Sequence, residues 1–139
     1  MTNLEEVLYK NGMLKISHTL VRGITPINAI VLSRLLIERD YAVTNKYITD
    51  DGFFIADEDE ISENTGIYPN VVCNIANNLY RRGIIDSKKI DDYYLIRINE
   101  EKIIEFIEEL ETENSFYYQN WDNGLEKIQK KISKLNIVK

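Results

Sequence analysis

The segment from Ile61 to Ile85, ISENTGIYPNVVCNIANNLYRRGII, restricts the fold more than any other part of this 139-residue chain. Gly66 permits the left-handed backbone that commonly ends a helix, and proline at position 69 suits the first turn of the next helix. Gly83 then ends that second helix. Two short helices separated by about three residues around a glycine predict a helix-turn-helix.

The first of these helices is predicted to begin after Asp57. The Asp57 side chain can cap the helix, and Glu60 follows it at capping-box spacing. The acids of the run ADEDE also favour the positive end of the helix dipole. Local helix chemistry therefore accounts for much of this negative charge.

The second helix has one apolar and one polar side. At helical spacing its apolar residues share one face, and the opposite face is polar. The apolar face contains Val72, Ile75, Ala76 and Leu79, and the opposite face contains Asn70, Cys73, Asn74, Asn77 and Arg81. The apolar face is predicted to join the core.

A two-stranded hairpin is predicted directly after Gly83. Ile84 and Ile85 open it, YYLIRI from Tyr93 to Ile98 closes it, and Asp91-Asp92 forms the tip. A hairpin that follows a helix-turn-helix is a wing. The helix-turn-helix is placed at about 57–82 and the wing at about 84–98.

The flanking segments add helices and short extended pieces. Thr25-Pro26 predicts the start of a buried helix with Thr25 as its cap, Phe53 to Ile55 predicts a strand, and Met13 to Val21 alternates like an extended stretch. Asn99 can cap a helix whose apolar residues are Ile103, Ile104, Ile107 and Leu110. A final helix is predicted from about Gly124 to Asn136, after a polar and aromatic segment from Glu111 to Asn123.

These elements predict an α+β, mostly helical fold: a winged helix-turn-helix over residues 1–112 and a C-terminal helical extension over 113–139. In the final helix Leu125, Ile128, Ile132 and Leu135 form a short apolar seam. The seam spans under two heptads, too few for an isolated coiled coil, so it packs on the domain or on a second copy. A homodimer through this helix is one expectation.

The run from Leu14 to Ile98 is similar to N-terminal domains of replication initiators and replisome organisers from plasmids and phages of low-GC Gram-positive bacteria. The stretch from Glu60 to Ile85, with its Thr65-Gly66-Ile67 turn and its Gly83-Ile84-Ile85 ending, resembles many bacterial winged-helix regulators. The similarity of the longer run to the replication proteins rests on a short β-segment before a helix, the D-x-G-x-F turn and strand at Asp50 to Phe54, and the helix-turn-helix that follows. It implies a sequence-specific double-stranded DNA-binding protein of a plasmid, phage or conjugative element. The role it implies is replication initiation, DNA transfer or transcriptional control.

Asn70, Asn74 and Asn77 are the candidate base-reading residues, since Asn can bond adenine at N6 and N7 in the major groove. Tyr68, at the start of the helix, can reach the DNA backbone through its hydroxyl or can simply pack. A compositional alternative exists: an AT-rich genome favours codons for Asn, Ile and Lys, all abundant in this chain.

Four cations are candidates for phosphate contacts, namely Arg81 and Arg82 at the helix end and Lys88 and Lys89 in the wing. The alternative is a solvated helix terminus whose cations complement the negative end of the dipole. The net charge of −6 opposes nucleic-acid binding, but residues 49–67 carry seven acids and no base, and residues 99–112 carry six acids and one base. The helix and wing segment, 68–98, has five bases and three acids.

Other functions have less support in the sequence. The charge balance leaves open a protein-interaction module without direct DNA binding, whose partner would be a replication or transfer protein. His18 and Cys73 have no second soft ligand nearby, and the acids from Asp50 to Glu60 lack calcium-loop spacing, so no metal is expected. No catalytic or phosphate-loop motif occurs. We expect a non-enzyme without cofactors.

The expected location is the cytoplasm, without a membrane partner. MTNLEEVLYK has acids where a signal peptide needs bases, and no run of eighteen residues is uninterruptedly apolar. The single cysteine excludes an internal disulfide and agrees with a reducing compartment.

Overall fold

The structure, a computed structural model, describes residues 3–91, 93–113 and 121–135. The described residues form seven helices and a three-stranded antiparallel sheet. In chain order these are α1 Leu4–Tyr9, α2 His18–Ile24, α3 Pro26–Thr44, β1 Phe54–Ile55, α4 Glu58–Thr65, α5 Pro69–Arg81, β2 Ile85–Ile90, β3 Tyr93–Ile98, α6 Glu100–Glu113 and α7 Trp121–Lys134. The α+β, mostly helical class predicted from the sequence is confirmed.

The helix-turn-helix is formed by α4 and α5. The Asp57 carboxylate accepts from the backbone N–H groups of Asp59 (2.9 Å) and Glu60 (3.4 Å), so it caps α4 as predicted. Gly66 ends α4 in the left-handed conformation, with φ of 76°. Pro69 is the first residue of α5, and Gly83, with φ of 75°, follows its last turn.

The hairpin β2–β3 pairs with β1 in the sheet order β1-β3-β2. Ile85 lies opposite Ile98 at its base and Ile90 lies opposite Tyr93 at its end. Of the predicted tip Asp91-Asp92, Asp91 follows β2 with φ of 54°, and Asp92 lies outside the described residues. Phe54 of β1 pairs with Ile96. The element order from α3 to β3 is the one that the winged-helix prediction requires.

The core lies between α3, the helix-turn-helix and one face of the sheet. Its largest fully buried side chains are Phe54, Ile24, Leu32, Leu35, Ile61, Leu79, Ile84, Ile85, Val31 and Val72. The predicted apolar face of α5 joins this core, with Val72, Ile75 and Leu79 buried and Ala76 packed against them. A buried face fixes the rotation of α5 and leaves its polar face outward.

Near the N-terminus the predicted extended stretch was wrong, and the predicted Thr25 cap is correct in position but not in its side-chain hydrogen bond. The stretch Met13–Val21 is not extended throughout, because the Ser17 hydroxyl accepts from the Leu20 backbone N–H (3.3 Å) and starts α2 at His18. Leu20 and Ile24, four residues apart, bury one side of that helix. Thr25 precedes α3 but makes no capping hydrogen bond through its side chain, since its backbone has φ of 80°.

The C-terminal elements agree in kind with the predictions. Asn99 precedes α6, and its amide donates to the Gly83 carbonyl (2.8 Å). The last helix, α7, begins at Trp121, three residues before the predicted start. A polar and aromatic segment was predicted between α6 and α7. Most of it, residues 114–120, lies outside the described residues. The division of the chain between residues 112 and 113 stays a prediction.

The helices α2 and α6 meet at a glycine. A Cβ added to Gly23 would overlap Leu110 Cδ1 and would lie 3.0 Å from Phe106 Cε1. Overpacking costs about 1–3 kcal/mol and the gain in helix propensity is about 1 kcal/mol. Gly23→Ala is therefore expected to lower the free energy of unfolding by up to about 2 kcal/mol.

Urea denaturation of Gly23→Ala, Leu110→Ala and the double variant measures this contact. The double variant should be less destabilised than the sum of the two single variants, because shortening Leu110 makes room for the new methyl group. Strict additivity of the two changes would contradict the close approach.

Candidate nucleic-acid interface

The outward face of α5 is a polar stripe formed by Asn70, Asn74, Asn77 and Arg81, which we call the α5 stripe. At 100° per residue these positions lie within about 60° of one another and span about 16 Å along the helix axis. All four side chains are exposed. Within the described part of the chain, none of the four has a side-chain hydrogen bond or ion pair, so each is available to a ligand.

The residues at the two ends of α5 are exposed as well. Tyr68 precedes Pro69 and is 77% exposed, without a capping hydrogen bond from its side chain. Its hydroxyl therefore lies at the surface rather than in the core. Arg82 follows the helix, exposed beside Arg81, and its backbone N–H bonds the Asn78 carbonyl (3.1 Å). Both arginines therefore lie at the C-terminal end of α5, but they are consecutive residues about 100° apart around the helix axis, and only Arg81 belongs to the α5 stripe.

The hairpin separates the two lysines that the sequence grouped together. Successive residues of a strand point to opposite faces, so Lys89 shares a face with Ile85 and Ser87, and Lys88 points the other way. Ile85 and Ser87 line a cavity together with residues of α5. Lys89 therefore lies on the α5 side of the hairpin, where its Nζ is 5.6 Å from the ring centre of Tyr94.

Lys88 belongs to a separate cluster on the outer face of the hairpin. Its Nζ lies 4.0 Å from the Phe53 ring centre and 3.5 Å from Asp51 Oδ2. Arg97 covers the same ring, 4.8 Å from its centre, and its Nη2 donates to Asp86 Oδ2 (2.6 Å). Two bases and two acids thus balance on this face.

The carboxylates of this cluster stay ionised. A hydrogen bond from the Thr49 hydroxyl, followed by the nearby charge of Lys88, lowers the pKa of Asp51 below its ordinary value. The hydrogen bond from Arg97 is the largest cause that lowers the pKa of Asp86. The outer face therefore offers no surplus of positive charge to a polyanion.

A cavity of about 150 Å³ lies between α5 and the hairpin. Asn77, Cys73 and Glu58 contribute polar groups to its lining, and the exposed rings of Tyr80 and Tyr94 belong to it as well. The negative charge of Glu58 raises the pKa of the Cys73 thiol, which therefore remains protonated and a poor nucleophile at neutral pH. The cavity therefore lies between the edge of the α5 stripe, at Asn77, and the hairpin.

Tyr80 and Tyr94 were missed by the sequence reasoning. Tyr80 lies about 60° from Asn77 around the helix, and the register pairs Tyr94 with Lys89 across the hairpin. Both positions follow from the predicted helix and hairpin once the faces are assigned. Together with Lys89 they continue the α5 stripe onto the hairpin.

The described residues contain neither a group of three or more His, Cys, Asp or Glu side chains placed to hold a metal ion nor a helix long and apolar enough to cross a membrane. His18 is exposed at the first position of α2.

Among the solved structures that share this fold are the following two. One is described as the N-terminal domain of a DNA-binding protein; it is 15% identical, has a TM-score of 0.52, and covers 78% of this chain and 93% of its own. The other is described as the structure of a Rep–DNA complex; it is 14% identical, has a TM-score of 0.53, and covers 71% of this chain and 82% of its own. No family model and no curated protein matches the chain. At these identities the likeness shows a common fold and agrees with the resemblance found in the sequence.

Proposed function

We propose that this protein binds double-stranded DNA, with α5 in the major groove and the β2–β3 hairpin along the adjacent backbone. The observation that carries the proposal is the α5 stripe: three amides and one guanidinium, exposed on one side of the second helix of a helix-turn-helix, with no intramolecular partner among the described residues. That helix is the one that enters the major groove in helix-turn-helix proteins. Asparagine and arginine are the side chains that pair bidentately with adenine and guanine there.

The distribution of charge supports the same surface. The acid-rich segments are α4 with its preceding turn, and α6, whereas the α5 stripe and its neighbours carry Arg81, Arg82 and Lys89. The exception is Glu58 of α4, which lies beside Cys73 of α5 and lines the cavity with Asn77, so its negative charge opposes DNA binding at that edge of the α5 stripe. Acids farther than about 8 Å from the bound DNA are largely screened at physiological ionic strength. Three phosphate contacts would give a salt slope of about −2.7, and affinity is therefore expected to be modest.

The finer proposal is a sequence-specific protein of a plasmid, phage or conjugative element that acts in replication initiation, DNA transfer or transcriptional control. The fold shared with the Rep–DNA complex supports a role at a replication origin. Two copies would read two half-sites, which compensates for the few phosphate contacts of one copy.

Selection from a pool of randomised duplexes tests the proposal, followed by fluorescence anisotropy at two salt concentrations. We expect enrichment of one motif, and binding that weakens as salt rises. A protein concentration of about 10 µM exceeds the largest usual Kd of a specific complex about 1,000-fold. If no duplex is enriched and no binding is measured at that concentration, the proposal fails.

The acidic helix α6 favours a second candidate function, a protein-interaction module. Six exposed glutamates, Glu100, Glu101, Glu105, Glu108, Glu109 and Glu111, make it a partner for a basic surface. Such a partner would be a replication or transfer protein. Recovery of one stoichiometric partner together with absent DNA binding would favour this function over the first.

The two wing lysines provide a matched pair for the DNA proposal. Lys89→Gln is expected to weaken all duplexes alike and to reduce the salt slope by about 0.9, because one phosphate contact is lost. Lys88→Gln should leave the slope unchanged, since Lys88 faces Asp51 and Phe53. Anisotropy titrations of both variants from 50 to 200 mM salt measure the difference, and a larger effect from Lys88→Gln would contradict the assigned faces.

A further inference from the structure

An apolar cleft lies between α3 and the β1–α4 edge of the domain, away from the α5 stripe. Its apolar lining includes Ile37, Tyr41, Tyr47 and Ile55, and Tyr41, Tyr47 and Ile55 are 63%, 71% and 57% exposed. Ile55 lies on β1, which is an edge strand of the sheet. Exposed tyrosines and an isoleucine around one cleft are typical of a protein-binding surface rather than of free solvent contact.

The two walls of the cleft differ in charge. On the α3 wall Arg34 and Glu38 form an ion pair (2.8 Å) and neutralise each other. On the α4 wall Glu60 lines the cleft and Glu63 lies one turn further along the helix. The cleft therefore suits a ligand that is apolar at its centre, positive on one side and neutral on the other.

The C-terminal helix α7 has this pattern. Its predicted apolar seam is uncovered: Leu125, Ile128 and Leu135 are exposed, and Ile132 is only partly buried. At 100° per residue, Lys127 and Lys131 flank the seam on one side, whereas Gln129 and Ser133 flank it on the other. Lys134 lies only about 20° beyond Lys127, whereas Lys130 lies on the side opposite the seam.

We infer that α7 of a second copy of this chain docks in the cleft, with its seam against the tyrosines and with Lys127 and Lys131 facing Glu60 and Glu63. Reciprocal docking forms a twofold dimer, in which each copy donates one helix and one cleft and the buried area is doubled. Charge alone would favour α6 as the acceptor. However, the outward surface of α6 exposes only one large apolar side chain, Ile104, among the described residues, and cannot cover an apolar seam. The inference does not depend on DNA binding.

Sedimentation velocity of the full chain tests the dimer and its geometry. The unmodified chain is expected to be a dimer at about 50 µM. Ile128→Glu, in the donated helix, and Tyr41→Arg, in the cleft, should each produce monomers, and unchanged circular dichroism confirms that both variants are folded. Both positions are surface-exposed, so neither substitution disturbs the core.

Mixing the two variants separates this geometry from a direct pairing of two α7 helices. An equimolar mixture should form heterodimers, because the intact helix of the Tyr41→Arg chain fits the intact cleft of the Ile128→Glu chain. If α7 pairs with α7, Tyr41→Arg stays dimeric alone and the mixture gains nothing, which overturns the inference. A monomeric unmodified chain also overturns it.

Charge exchange tests the orientation of the docked helix. Lys127→Glu with Lys131→Glu should weaken dimerisation about tenfold or more, and adding Glu60→Lys with Glu63→Lys to the same chain should restore it. The matched single changes are Lys131→Glu, beside the seam, and Lys130→Glu, opposite it. Lys131→Glu should weaken dimerisation and Lys130→Glu should have little effect, although both change the net charge by the same amount. Equal weakening by these two changes would contradict the proposed contact.

Discussion

Replacement of Asn74 and Asn77 together by alanine is expected to remove most of the discrimination between a selected duplex and a scrambled one. A bidentate asparagine–adenine pair contributes about 1–3 kcal/mol of discrimination, so two lost pairs correspond to a loss of roughly 30-fold to more than 1,000-fold. Binding to scrambled duplex should change little, because neither amide carries charge. Competition anisotropy with both duplexes measures the ratio.

Asn78→Ala is the matched control for this experiment. Asn78 is also exposed on α5, but it lies about 40–100° away from the other amides around the helix axis. Asn78→Ala should therefore leave unchanged the ratio of the affinities for the selected and the scrambled duplex. An equal loss in the control, or an unchanged ratio in the double variant, would show that these amides do not read bases and that the asparagines of α5 reflect composition alone.

Leu79→Ala is expected to have the largest effect on stability. Leu79 is fully buried on the inner face of α5. It belongs to the hydrophobic core formed by α3, the helix-turn-helix and the sheet. Loss of a buried leucine side chain costs about 2–5 kcal/mol, a large part of the stability of a domain of this size. Thermal and urea unfolding, both followed by circular dichroism, measure the change.

Asn78→Ala again serves as the comparison, one residue earlier on the exposed side of the same helix. A surface change of this kind should alter the free energy of unfolding by no more than about 0.5 kcal/mol. If Leu79→Ala changed the free energy of unfolding as little as Asn78→Ala does, α5 would not be packed on the core. The α5 stripe would then not be held facing outward.

The helix-turn-helix and the hairpin were predictable because their signals are local. Asp57 caps α4, Gly66 ends it and Pro69 begins α5, and each acts through backbone conformation within a few residues. The turn position then fixes the register of the hairpin. The apolar periodicity of α5 correctly predicts its buried residues Val72, Ile75 and Leu79. It fails at Cys73, which was predicted on the outward face, because the thiol is partly buried beside Glu58 in the cavity next to α5.

Predictions failed where two local patterns competed or where the partner is distant in sequence. The stretch near His18 alternates like a strand, but the Ser17 cap and the burial of Leu20 and Ile24 favour a helix. Lys88 and Lys89 were grouped by adjacency, although a strand sends neighbours to opposite faces. The contact of Lys88 with Phe53 joins residues far apart in the chain, which no local pattern reveals.

The side chain and backbone of Asn99 have a structural consequence. The side-chain amide of Asn99 donates to the Gly83 carbonyl, and its backbone N–H donates to the Ile84 carbonyl (2.9 Å). The residue that directly precedes α6 is thus hydrogen-bonded to the two residues that lie just before β2. The start of α6 is thereby joined to the residues that follow Arg82 by a path of two hydrogen bonds that bypasses the tip of the hairpin.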